Sequence, residues 1–165
     1  MSNGHCLTDE QMRDLAKKRE AIHAGQASSR PLSKHYELIG LIAERQFSRE
    51  FDVDMDMTLR PGGDGRVDFV LPIGTVDVKG AARAYNLFRE IGKPHAEILV
   101  LAAVNVYTCQ AQLRGWELEE EMVKCPSKDF GYGITNHYKN AMELKNVESL
   151  LEWHRSFLIN EQGGF

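Results

Sequence analysis

Three cysteines, Cys6, Cys109 and Cys125, stand in a chain of 165 residues with no C-x-x-C pair among them. An odd, widely spaced set excludes a disulfide framework and a zinc ribbon, and a reducing compartment, the cytoplasm, is expected. The six histidines show no H-x-x-x-H or Cys/His ligand spacing, so none is assigned a zinc or general-base role. Long apolar runs are also missing. The longest, 98–104, falls far short of the roughly 20 residues a membrane helix needs, and the start of the chain is polar rather than basic-then-apolar. A soluble protein with no membrane partner is expected. A basic excess is absent too: 20 Lys and Arg face 24 Asp and Glu, a net charge of −4. That excludes a broadly basic nucleic-acid coat, but not a local acidic cluster that holds a cation and, through it, phosphate. No repeat or low-complexity segment occurs.

The length suits one domain with a substantial core preceded by a small appendage. The expected division is 1–30, an N-terminal helix and linker, and 31–165, the main domain. Thr8 with Gln11 forms a capping-box pattern, Leu7 and Met12 are placed as a hydrophobic staple, and Gly25 is a stop. The exposed side of this first helix is basic, yet its acids balance it, so it reads as a solvated face. Residues 26–31 form a polar linker ended by Pro31. A second helix is predicted from a Ser33 cap to about Ser48, with Tyr36, Ile39, Gly40, Ala43 and Phe47 along its apolar stripe and Glu44 beside it. Residues 51–59 alternate strictly between apolar and polar, the pattern of a half-buried strand with Asp52, Asp54 and Asp56 on its solvated side. These acids lack the glycine turn and distal glutamate of a calcium loop. Glycines 62, 63 and 65 are followed by no Gly-Lys-Ser/Thr and no helix start, so they make a tight turn rather than a phosphate cradle.

Polar chemistry concentrates in the next segment. Asp68 sits in one run of β-formers, and Asp77 and Lys79 flank Val78 in another; a charge in a strand interior is costly unless it is partnered. An even loop around Ile73 and Gly74 sets Leu71 opposite Val76 and Phe69 opposite Val78, with Val67 on the same apolar face. The other face then gathers Asp68 opposite Lys79, with Asp77 on the diagonal. Beyond it, 81–91 reads as a short helix or an irregular strand, 98–104 as a buried central strand, 107–113 as a further strand, 117–124 as a short acidic helix, and 147–158 as an amphipathic helix capped by Asn146. The fold class expected is α/β, a central mixed sheet flanked by helices.

In order and type, these residues resemble the PD-(D/E)XK nuclease superfamily, which has a restriction-endonuclease-like αβββαβ core. The likeness consists of a helix with Gly40-x-x-x-Glu44, a strand, a glycine-rich turn, Asp68, then Asp77-x-Lys79 and a later apolar strand, and it covers 36–104. Asp68 follows Val67 rather than the proline of the motif, a position where the family often departs. The continuation through Ile98-Leu99-Val100-Leu101 to Gly115-Trp116 is similar to small nuclease-like members. The resemblance implies that Asp68 and Asp77 bind a divalent cation, magnesium with manganese as a substitute, with the Val78 carbonyl as a further ligand and Glu44 assisting directly or through water. Lys79 would orient the attacking water or stabilise charge on the phosphate. Hard carboxylate oxygens suit such a cation. The function implied is hydrolysis of DNA phosphodiesters by a metal-activated water, and relatives that cut duplexes commonly act as homodimers. Three other readings stay open: an ordinary cross-strand ion pair with a spare acid, an inactive nucleic-acid-binding or interaction module of the same fold, and an RNA-directed enzyme. RNA ranks lower, because no aromatic-interleaved basic strand is present. Arg60, Arg66 and Arg83 flank the motif as phosphate contacts or plain surface arginines, and Tyr85 is unassigned.

Overall fold

The capping box read from Thr8 and Gln11 is formed. Gln11 N–H donates to Thr8 Oγ1 at 3.1 Å and Thr8 N–H to Gln11 Oε1 at 2.9 Å, starting helix α1, Asp9–His23. The structure, a computed structural model, describes residues 7–23, 35–57 and 67–162. Gly25, the linker 26–31, the Ser33 cap, Arg60, Arg66 and the glycine turn therefore lie outside the described residues. Helix α2, Tyr36–Phe51, ends where Asp52 turns into left-handed backbone at φ 52°. Its apolar stripe is only part of what it buries. Ala43 and Phe47 meet the sheet, Arg45 reaches back to α1, and Tyr36, expected in the stripe, is exposed. A helix packed on two sides needs apolar positions over a wider arc than a single stripe.

The alternating stretch 51–59 is not a strand over its described part. Phe51 is the last residue of α2, and residues 53–57 join no ladder, although Phe51 and Met55 are buried as the alternation requires. Alternation reports which side chains turn inward; it does not supply a neighbour for the backbone. Among the described residues, the expected three-strand meander is thus reduced to one hairpin.

That hairpin joins β1, Phe69–Leu71, to β2, Gly74–Ala81. Its register differs by two residues from the expected one: Phe69 faces Val76, and Leu71 faces Gly74. Pro72, with no N–H to contribute and a fixed φ, suits the first position of the two-residue loop Pro72-Ile73, and Gly74 closes it at φ 139°. Because the shift is even, both faces survive, with Phe69, Leu71, Val76 and Val78 buried on one side. The next segment resolves as a strand, β3, Asn86–Glu90, and it leaves the main sheet.

The chain returns as β4, Ile98–Asn105, parallel to β2, and then as β5, Gln110–Leu118, antiparallel to β4. The result is a mixed four-stranded sheet in the order β1-β2-β4-β5. The apolar continuity of β4 follows from burial on both faces. Ile98, Val100, Ala102 and Val104 join the core under α2, while Leu99 and Leu101 join a second cluster with Leu87 and Met122. The acidic helix is shorter than expected: α3 is Glu119–Met122, so Glu117 belongs to β5. Two short strands, β6, Ser127–Asp129, and β7, Thr135–Asn140, complete a second sheet in the order β3-β7-β6. A 3-10 turn at Ala141–Glu143 leads to helix α4, Val147–Gln162, where Asn146 Oδ1 accepts from Ser149 N–H at 2.9 Å as the expected cap. Among the described residues, no helix is long and apolar enough to cross a membrane.

Candidate functional site

β2 positions the central pair. Gly80 is pressed against α2, where an added Cβ would lie 2.9 Å from Ala43 Cβ and from the Ile39 carbonyl. Strand alternation then sends Asp77 and Lys79 to the opposite face of the sheet. There, in register with Leu99 and Leu101 of β4, Lys79 Nζ stands 2.5 Å from Asp77 Oδ2. The Asp77 residue is 5 % exposed, and that same oxygen has ion-pair contact but no hydrogen bond of acceptable geometry. A buried carboxylate oxygen in this condition retains capacity for a further positive partner.

Asp68 joins them from the end of β1. Its N–H donates to the Val76 carbonyl at 2.8 Å, and its Oδ2 accepts from Val78 N–H at 2.7 Å. The carboxylate thus takes the place of a ladder partner where β1 stops. Since the Val76 carbonyl and Val78 N–H both turn toward β1, alternation turns the Val78 carbonyl to the same edge. Asp68 and the Val78 carbonyl therefore share one edge of β2, next to Asp77 and Lys79. A groove between 52–56 and 67–71 runs past Asp68 and carries Asp54 and Asp56 on its other wall. Glu44 comes from α2, which packs on the other face of the sheet from Asp77 and Lys79. The structure thus brings together Asp68, Asp77, Val78 and Lys79, and places Glu44 on the far layer.

The donor set fits a hard divalent cation in number. Two carboxylates and a carbonyl are what magnesium takes from a protein while keeping several waters, and the buried Asp77 Oδ2, held by the Lys79 ion pair without a hydrogen bond of good geometry, is the observation that favours it. No group of three or more His, Cys, Asp or Glu side chains gathers among the described residues.

A second charged centre was not legible in the sequence. Glu117 lies on the same face as Asp77, each opposite Leu99 on one side of β4. It is 1 % exposed and accepts from Lys139 Nζ at 2.7 Å, from Lys145 Nζ, and from Leu118 N–H at 2.9 Å. Burial alone would raise its pKa; the hydrogen bonds from Lys139 and Lys145 outweigh that and hold it below the ordinary carboxylate value, while Glu117 in turn raises Lys139. The cause of its placement is a β-bulge. Leu101 pairs with Gly115 but Ala102 with Leu113, so Arg114 is extra, and Leu113 and Glu117 end on opposite faces despite even spacing. Lys145 is held by reciprocal backbone bonds with Trp116, 3.0 Å each, and its ammonium lies 5.4 Å from the Trp116 ring centre. Gly115 admits this crossing segment, since an added Cβ would lie 2.6 Å from Leu144 Cβ.

Compared with protein-family models, curated proteins and solved structures, the chain matches none. Its function is therefore argued from its own residues.

Proposed function

We propose that the chain is a metal-dependent nuclease of the PD-(D/E)XK kind, hydrolysing phosphodiester bonds of DNA at the Asp68–Asp77–Lys79 edge of β2. The observation that carries the reading is the Asp77 carboxylate, buried and lacking a hydrogen bond at Oδ2 beside the Lys79 ammonium. A hairpin followed by a parallel strand, β1-β2-β4, also agrees with the sheet such a core requires. Asp68, Asp77 and the Val78 carbonyl would hold magnesium or manganese. Once bound, such an ion supplies charge that polarises a phosphate oxygen and lowers the pKa of a water. The chain's own groups do the rest. Asp77 fixes the Lys79 ammonium, which donates to phosphoryl oxygens as negative charge develops there. Asp68, held by Val78 N–H, keeps its carboxylate at the strand edge. Glu44 takes part only if it reaches around the sheet, so it is the member to test separately.

The test incubates wild type and Asp77→Ala with linear, circular, single-stranded and branched DNA, and with RNA, under magnesium, manganese or chelator. Cleavage by wild type that chelator and Asp77→Ala both abolish is expected. Undiminished cleavage by a folded Asp77→Ala protein overturns the assignment. A second reading, an inactive binding module of the same fold, is favoured by one feature: Asp68 and Asp77 already have protein partners in Val78 N–H and Lys79. Binding with no cleavage under any metal identifies it.

A further inference from the structure

The outer face of the second sheet carries chemistry that the proposed site does not use. Phe88 of β3 pairs with Tyr138 of β7. Their neighbours Leu87 and Lys139 turn inward, to the second core cluster and to Glu117, so Phe88 and Tyr138 share the outward side. Phe130, just past β6, stands edge-on to both, its ring centre 4.9 Å from Phe88 and 5.2 Å from Tyr138. Lys128, on the same side through its pairing with Asn136, sets Nζ 5.4 Å from the Phe130 centre. Phe88 is 37 % exposed and Phe130 46 %. Edge-to-face packing covers one ring face in each pair, and the Lys128 ammonium lies over the Phe130 ring, so the exposed remainder of the cluster pairs apolar ring surface with a cation. The matching ligand has flat π systems joined by negative charge.

One short stretch of chain links this face to the candidate site. β2 carries Lys79 and ends at Ala81, and the link to β3 exposes Arg83 and Tyr85, the latter 66 % exposed and fixed through its carbonyl, which accepts from Ala141 N–H at 2.8 Å. Phe88 is nine residues from Lys79 in sequence, so at most about 32 Å separates them. Basic and aromatic groups therefore follow one another from Lys79 through Arg83 and Tyr85 to the ring cluster and Lys128.

We infer that this face is a stacking platform for the unpaired bases of single-stranded nucleic acid, which guides a strand to the β2 edge. The inference rests on the nuclease reading for what the strand is guided to, and not for the binding itself. Bases in a duplex hide their π faces, so the platform discriminates against it, whereas any unpaired base can stack. β3 and the β6–β7 segment thus bring the rings of Phe88, Phe130 and Tyr138 together with Lys128 on one face, whose edge also carries Glu90.

The experiment measures fluorescence anisotropy of labelled dT15, rU15 and a mixed-sequence 15-bp duplex with the full chain in chelator, where cleavage does not interfere. Both single strands should bind at least about tenfold tighter than the duplex, and the ratio of dT15 to rU15 decides between DNA and RNA. Phe130→Leu and Phe88→Leu, which keep apolar bulk and remove the ring, should each weaken binding roughly 5- to 100-fold. Lys128→Ala should lower the slope of log K against log salt by about 0.7. Circular dichroism and the thermal midpoint check each fold; if Phe88→Leu unfolds, Phe130→Leu and Lys128→Ala carry the test. Equal binding of duplex, no binding of either single strand, or unchanged binding by folded Phe130→Leu overturns the inference. Capture of an oligoproline peptide instead, lost in Phe130→Leu, assigns the face to a peptide and overturns it as well. Metal-dependent cleavage with unaltered Phe130→Leu binding removes the platform and leaves the nuclease. Single-strand binding lost in Phe130→Leu, with no cleavage under any metal, does the reverse.

Discussion

Replacing Glu117 by glutamine removes one charge from the most buried acid described in the chain and leaves its size unchanged. In the native protein this carboxylate takes three hydrogen bonds, two of them from ammonium groups on different elements, Lys139 of β7 and Lys145 beside Trp116. The amide can keep Leu118 N–H and one lysine at its oxygen, but its NH2 then confronts the other ammonium, donor against donor. Breaking a buried charged pair costs about 3–5 kcal/mol when the partner is left dry. Here the lysines have a way out, since their side chains are 24 % and 44 % exposed and can turn to water. A loss of about 2–3 kcal/mol is expected, toward the value of a charged hydrogen bond. For a domain of this length that lowers Tm by roughly 4–12 °C. The pH dependence supplies a second signature. Because Glu117 has a folded pKa below its ordinary 4.5, its contribution is complete above that value and disappears as pH falls through the lowered folded pKa. Thermal unfolding of wild type and Glu117→Gln from pH 7 down to pH 3 should therefore show a gap that closes in acid. A gap of no more than about 1 °C at pH 7, or one that persists unchanged in acid, would refute the reasoning.

His154 of α4 is buried against Phe51 with Nδ1 lacking a hydrogen bond, and burial lowers its pKa from 6.5, with Arg155 adding to the effect. The unfolded chain then binds a proton that the native one resists, so stability should decline as pH falls below about 6.5. His154→Leu should flatten that part of a Tm-against-pH curve; an identical slope in the variant would dismiss the histidine as its source. Gly80→Ala places a methyl 2.9 Å from Ala43 Cβ and the Ile39 carbonyl, and overpacking of this kind costs about 1–3 kcal/mol. Urea denaturation should show the midpoint falling with the slope unchanged, and an unmoved midpoint would mean that α2 yields freely.

Much of the local structure was readable in advance because its causes are local. Thr8 with Gln11 and Asn146 with Ser149 are contacts three residues apart, formed wherever a helix begins there. The apolar run of β4 announced a strand buried on both faces. The two faces of the β1–β2 hairpin were also legible, since parity depends only on alternation. The register was not, because Pro72 moved the turn, and an even slip leaves the pattern of buried side chains unchanged. The stretch 51–59 misled for a related reason: Phe51 and Met55 are buried as alternation says, but Met57 is 42 % exposed and no strand lies beside 53–57.

Of the site, Asp68, Asp77 and Lys79 could be grouped from sequence because one hairpin carries them all. Glu117 could not, because its face is decided by the extra residue Arg114, and its partners Lys139 and Lys145 are 22 and 28 residues away. The ring cluster of Phe88, Phe130 and Tyr138 has the same character, joining segments more than forty residues apart in the chain. By itself, then, the sequence determined the helix caps, the buried strand β4, the hairpin's two faces and the charges carried beside them, all consequences of periodicity and neighbouring side chains. Tertiary structure alone decided the departure of β3 into a second sheet, the bulge that turns Glu117 inward and the aromatic face outside. Each depends on contacts between distant segments, whose free energy no short window of sequence contains.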